Sequence, residues 1–109
     1  MGRRDGLLWV IATTFPDRAR AEAAARQLVT ERLAVCVQVG ADLLSCYRWR
    51  GELQTEAEVA LTLKVREEDY EACASRLAAL HPYETPQIVG WPAARVAEAY
   101  GRWAWEDEE

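Results

Sequence analysis

The apolar positions of the chain change period along its length, and each change marks an element. Leu7-Leu8-Trp9-Val10-Ile11-Ala12 is nearly continuous, the pattern of a strand covered on both faces or central in its sheet. Thr13 to Asp17 stop that strand and start a helix. Thr14 stands in the capping position, with Pro16 in the first turn and Asp17 three residues on. Ala21, Ala24, Ala25, Leu28 and Val29 then share one helical stripe, which predicts an amphipathic helix to about Arg32. A period of two returns at Val35, Val37 and Val39. It breaks at Gly40-Ala41-Asp42, as at a bulge, and resumes at Leu43. Tyr47 and Trp49 alternate toward a hairpin tip, where Arg50-Gly51 supplies the turn because glycine adopts positive φ without steric cost. On the return arm Val59, Leu61, Leu63 and Val65 face one way; Glu58, Ala60, Thr62 and Lys64 face the other.

Glu67, Glu68 and Asp69 load the first turn of a second helix with acid, as the helix dipole favours. Tyr70, Cys73, Ala74, Leu77 and Ala78 form its stripe. His81-Pro82-Tyr83-Glu84-Thr85-Pro86 ends it, since residues before proline avoid helical dihedrals. Gln87 to Trp91 reads as a short fourth strand closed by Pro92. Ala93, Val96, Ala97, Tyr100, Trp103 and Ala104 line a third helix. The order β-α-β-β-α-β-α predicts an α+β fold, a ferredoxin-like βαββαβ sandwich with a long β2-β3 hairpin and an extra C-terminal helix. Residues 7–105 form its single domain, between a charged leader over 1–6 and an acidic tail over 106–109. One unbroken strand from Val35 to Trp49 would span ~50 Å. A chain of this length has a radius of gyration of only about 13 Å. The arm must bend near Gly40 or overhang, and an overhanging aromatic hairpin beside a bare sheet face needs a surface to pack against. Other copies of the chain are the expected surface.

Composition narrows the function. With 109 residues, half of them hydrophobic, the chain can bury a core without metal or disulfide support. Its net charge of −5 disfavours a general nucleic-acid surface. Cys36, Cys46 and Cys73 are odd in number and lack paired spacing, and no long apolar span appears. These features predict a reduced, cytoplasmic protein with no membrane partner.

Candidate chemistry is sparse. The cysteines and the single histidine, His81, contain no C-x-x-C or H-x-x-x-H pair, so a closed structural zinc site is not expected. Cys36 and Cys73 fall on apolar stripes. His81 has two readings: a helix-end residue bonded to the last carbonyls, or a copper or zinc ligand together with Glu84 and a group from another subunit. Lys64, the only lysine, stands between Leu63 and Val65. It can be a solvated strand end, an inter-subunit ion pair with Glu58 or Glu84, or an anchor for an anionic ligand. Tyr47, Trp49 and Tyr83 suit either packing or ligand stacking. No serine has a histidine and an acid in recognisable order, and no glycine-rich phosphate loop follows a strand. The chain is therefore expected to have no catalytic residues and to need no cofactor.

The ordered set Arg32–Val39 (RLAVCVQV), Tyr47-Arg48-Trp49-x-Gly51, Glu58 with Leu63-Lys64, and His81 through Pro86 resembles the CutA divalent-cation tolerance family. The resemblance runs from about Val10 to Trp103. It implies a PII-like homotrimer whose hairpins wrap neighbouring subunits, and a cytoplasmic response to copper and other divalent metals. It also implies a ligand cleft at the subunit interface drawn from Tyr47, Trp49, Glu58, Lys64, Tyr83 and Glu84, with His81 as the metal candidate. Thr13 departs from members that carry a cysteine at the matching strand end. Two rivals share the topology. An RRM-type nucleic-acid module needs an aromatic basic strand motif that the chain lacks. Acylphosphatase-type enzymes use an asparagine, and the sequence has none.

Overall fold

A computed structural model describes residues 6–106. The leader expected over 1–6 and the tail over 106–109 lie almost wholly outside the described residues. The elements run β1 (Leu8–Phe15), α1 (Arg18–Thr30), β2 (Cys36–Trp49), β3 (Glu52–Arg66), a short 3-10 turn (Glu67–Asp69), α2 (Tyr70–Leu80), β4 (Val89–Pro92) and α3 (Glu98–Trp105). The four strands form one antiparallel sheet in the order β2-β3-β1-β4, the ferredoxin-like arrangement. One face of the sheet holds the core: Ile11 and Phe15 from β1 and Leu61 and Leu63 from β3 pack against Ala21, Leu28, Cys73 and Leu77 of the helices. The small residues of α1 let it lie close to the strands. Trp9 leans on Tyr70, their rings 5.0 Å apart.

Three local expectations are corrected. Thr14 does not cap α1. It and Phe15 continue β1, paired with Ala60 and Val59, because β3 is long enough to hold them. Asp17 caps instead, its carboxylate accepting the Arg20 backbone N–H at 2.8 Å. The stripe expected on α3 is also out of phase. That helix begins only at Glu98, and Val96, Tyr100 and Trp103 remain exposed. Ala104 is buried as expected, but its buried neighbour is Trp105, and the two cover Leu8 at one end of the sheet's second face. Arg66 fastens them, its guanidinium donating to the Ala104 carbonyl at 2.7 Å and the Glu106 carbonyl at 3.1 Å. Finally, α1 stops at Thr30, and Arg32 turns the chain with φ 62°.

The hairpin follows the expected plan. Arg50 (φ 53°) and Gly51 (φ 81°) make a two-residue turn with both φ positive, the type whose twist matches the flanking strands. The register shifts between Val39 and Asp42, so Gly40 and Ala41 together oppose Ala60. Arg18 braces this bulge from α1, donating to the Gly40 carbonyl at 3.1 Å and the Asp42 carboxylate at 2.9 Å. Beyond it the hairpin overhangs. The molecule extends 51 × 26 × 22 Å with a radius of gyration of 15.0 Å, larger than about 13 Å for a compact chain of its length.

Candidate functional site

The residues singled out in the sequence divide between two ends of one sheet face. Lys64 pairs with Cys36 across to β2 and with Val10 across to β1. Its Nζ donates to the Gln38 side-chain carbonyl at 2.7 Å. Glu58 is on the same strand and face, but six residues earlier, about 20 Å away at ~3.3 Å per residue. No Lys64–Glu58 or Lys64–Glu84 ion pair therefore forms within one chain.

At the Glu58 end the hairpin and the loop after α2 enclose an open groove of about 800 Å³. One wall is the hairpin, with Ser45, Tyr47, Trp49, Glu56 and Glu58; the other is Pro82 through Thr85. Strand alternation after the bulge puts the odd residues of β2 and the even residues of β3 on this face. Glu58 is only 7 % exposed, an unusual state for a carboxylate. Two neutral hydroxyls hold it: Ser45 Oγ donates at 2.5 Å and Tyr83 Oη at 2.9 Å. Tyr47 donates to Glu56 at 2.9 Å. Burial, and then the hydrogen bond to the Glu58 carboxylate, push the Tyr83 phenol well above its usual range. The bond to Glu56 raises Tyr47 in the same direction. Glu56, Glu58 and Glu84 all line the groove, and among the described residues no lysine or arginine does.

His81 sits behind this wall, 7 % exposed, its ring 4.2 Å from Phe15 and 4.9 Å from Tyr83. Its Nε2 lies 2.6 Å from the Thr14 carbonyl, and its Nδ1 lies 3.2 Å from the Tyr83 backbone N–H. A carbonyl only accepts and a backbone N–H only donates, so the partners fix the neutral tautomer with hydrogen on Nε2. The side chain therefore ties the end of β1 to the loop carrying Tyr83, and not to the last carbonyls of α2, the first of its two readings. Both ring nitrogens are engaged, and no group of three His, Cys, Asp or Glu among the described residues could hold a metal ion. The donor set of a single chain does not fit a resident metal. Thr13 is buried with its hydroxyl unpartnered, facing the helix side of the sheet and not the groove.

Sequence reasoning missed Ser45 and Glu56. Ser45 is read as part of the hairpin, and only the cross-strand register reveals that it reaches Glu58. Cys46 is exposed and lines the groove, Cys36 is half-buried and Cys73 is buried. Burial first, and Asp69 second, push the Cys73 thiol up to about 11. No helix among the described residues is long and apolar enough to cross a membrane.

Comparison with known proteins agrees with this architecture. The family profile described as CutA1 divalent ion tolerance protein matches residues 9–107. The divalent-cation tolerance protein CutA of Thermus thermophilus is 38 % identical over 98 residues, covering 90 % of this chain and 95 % of that one. The namesake from Pyrococcus horikoshii is 35 % identical over 98 residues, with the same coverage. Among solved structures, CutA from Xylella fastidiosa superposes with a TM-score of 0.86 at 34 % identity, covering 91 % of this chain and 98 % of that one. CutA1 from Oryza sativa gives 0.89 at 28 % identity, covering 94 % of each. A profile match across nearly the whole chain, joined to relatives of this identity and coverage, places the protein in the CutA1 divalent ion tolerance family.

Proposed function

We propose that the protein is a non-enzymatic homotrimer acting in cytoplasmic tolerance of divalent cations, copper among them. Its copies meet through the hairpin and the open sheet face, and the groove becomes a cleft between subunits. The overhang carries this reading. Leu44, Trp49 and Leu53 are 67, 50 and 76 % exposed on a hairpin that leaves the body of the domain. Val89 and Trp91 are half exposed on the same sheet face as Lys64. Apolar surface of this extent favours burial against a partner. The names of the relatives support the metal side of the reading, and the resemblance supports the trimer.

A metal ion or small anion taken up by this protein would be held where copies meet. The described residues of one chain offer no metal donor set, and those lining the groove supply carboxylates without a basic group. Tyr47, Trp49, Tyr83 and Glu84 form the walls of that cleft, and His81 holds one of them in place. Light scattering at micromolar concentration should return three times the chain mass, and a clean monomer would remove the reading. Calorimetric titration with copper, zinc and inorganic phosphate should give heat from the trimer and none from a dissociated variant.

A further inference from the structure

Away from the groove, the described residues form another, smaller cavity of about 250 Å³ where the end of α1, the end of β3 and α3 meet. Its floor is apolar and short. Ala34 and Ala104 are buried there, and neither side chain is long enough to fill the space. Val29 of α1 and Trp103 of α3 stand at its mouth, 40 and 44 % exposed. Arg66 fixes the α3 wall through the Ala104 and Glu106 carbonyls, and its Nη1 lies 4.0 Å from the Asp69 carboxylate. Arg32 completes the lining.

Arg32 breaks a local rule. A chain leaving a helix with φ near +60° favours glycine, because a Cβ is crowded in that conformation. Backbone groups alone make the turn. The Arg32 N–H donates to the Val29 carbonyl at 2.9 Å, and those of Leu33 and Ala34 donate to the Leu28 carbonyl at 3.0 and 3.2 Å. Glycine at position 32 would keep these bonds without strain. A strained residue that the backbone does not require points to a use for its side chain.

We propose that this cavity binds a small carboxylic acid with a flat or branched apolar body. The body lies on Ala34, Val35 and Ala104 between Val29 and Trp103, and the Arg32 guanidinium takes the carboxylate through its planar pair of donors. Arg32 is already engaged in the structure, so the ligand's carboxylate enters by exchange with its present contacts. Asp69 faces Arg66, which answers its charge and keeps it from turning the site toward amines. The site is built within one chain, so it stands whether or not copies assemble through the hairpin.

Benzoate at constant ionic strength tests this. Benzylamine presents a similar ring with the opposite charge, and inorganic phosphate presents an anion without an apolar body. The nitrogen-15 spectrum of the five tryptophan indoles reads the site, with the Trp103 signal assigned through Trp103→Phe. Benzoate should move that signal with half-saturation at about 1 mM, as suits a ligand of this size. The signals of Trp49 and Trp91 should stay in place, and the two control compounds should move none. Arg32→Gly should melt at or above the wild-type temperature, since it relieves the strain at φ 62°, and yet bind benzoate at least ~10-fold more weakly. Val29→Trp, at the exposed mouth, should block the cavity while circular dichroism shows the fold intact. The proposal is overturned by no benzoate shift up to about 10 mM, by benzylamine binding as benzoate does, or by unchanged affinity in Arg32→Gly. An Arg32→Gly protein that melts well below wild type also overturns it, because the arginine would then serve the fold and not a ligand.

Discussion

Replacing His81 by alanine separates a structural histidine from a metal-binding one. The imidazole is almost fully buried and closes two hydrogen bonds, to the Thr14 carbonyl and from the Tyr83 N–H. Alanine leaves both backbone groups without that partner, at about 1–3 kcal/mol for each that water cannot reach. It also removes ring contacts with Phe15 and Tyr83, worth about 0.5–1.5 kcal/mol each. Some of this is recovered by relaxation, so a net loss of about 3 kcal/mol is expected. Denaturant unfolding at fixed protein concentration measures it as a lowered midpoint with an unchanged slope. His81→Asn, whose side-chain oxygen can accept the Tyr83 N–H in place of Nδ1, should recover part of the loss. Copper titration on the same proteins supplies the contrast. A loss below about 1 kcal/mol together with abolished copper affinity would refute the structural role and return His81 to the metal.

Trp49→Ala should weaken assembly by roughly 2–4 kcal/mol and make melting depend more steeply on concentration, because the ring is half exposed in the lone chain; a change under about half a kcal/mol would leave Trp49 in solvent. Tyr83 predicts an alkaline limit. Its folded phenol is held above the ordinary tyrosine value of 10.0, so its contribution is intact below pH 10 and is lost as pH rises toward the folded value. Tyr83→Phe should flatten that decline in pH-dependent melting curves; an unchanged curve would contradict the Glu58 bond. Cys73, buried and raised to about 11, should resist alkylation at pH 8 until the chain unfolds, so labelling at the rate of an exposed thiol would place it at the surface.

The parts legible in the sequence are those set by neighbours along the chain. The Arg50-Gly51 turn fixes the hairpin, and strict alternation from Glu58 to Val65 assigns the two faces of β3 correctly. Gly40 marks the bulge. What escaped depends on partners distant in sequence. The Ser45–Glu58 and Tyr83–Glu58 bonds span 13 and 25 residues and need the tertiary register to be seen. Thr14 looks like a cap because its sequence is that of one, but a strand partner at Ala60 outweighs a local cap. The phase of α3 could not be read from Ala93 onward because the helix starts five residues later. The separation of Lys64 from Glu58 was implicit in their spacing along one strand; a shared face was visible, and proximity did not follow from it.

The bulge at Gly40-Ala41 has a consequence of parity. Before it, the even residues of β2 share a face with Lys64; after it, the odd residues do. One supernumerary residue thus rotates the whole outer arm by half a pleat and turns Tyr47 and Trp49 toward the groove. Deleting either Gly40 or Ala41 would leave composition and hydrogen-bonding capacity almost intact. It would nonetheless send both rings to the opposite side and bring Arg48 toward the groove in their place. The arm is therefore interchangeable between related chains only in units that preserve this count. Within it, a two-residue insertion in each strand should be tolerated better than the loss of a single residue at the bulge.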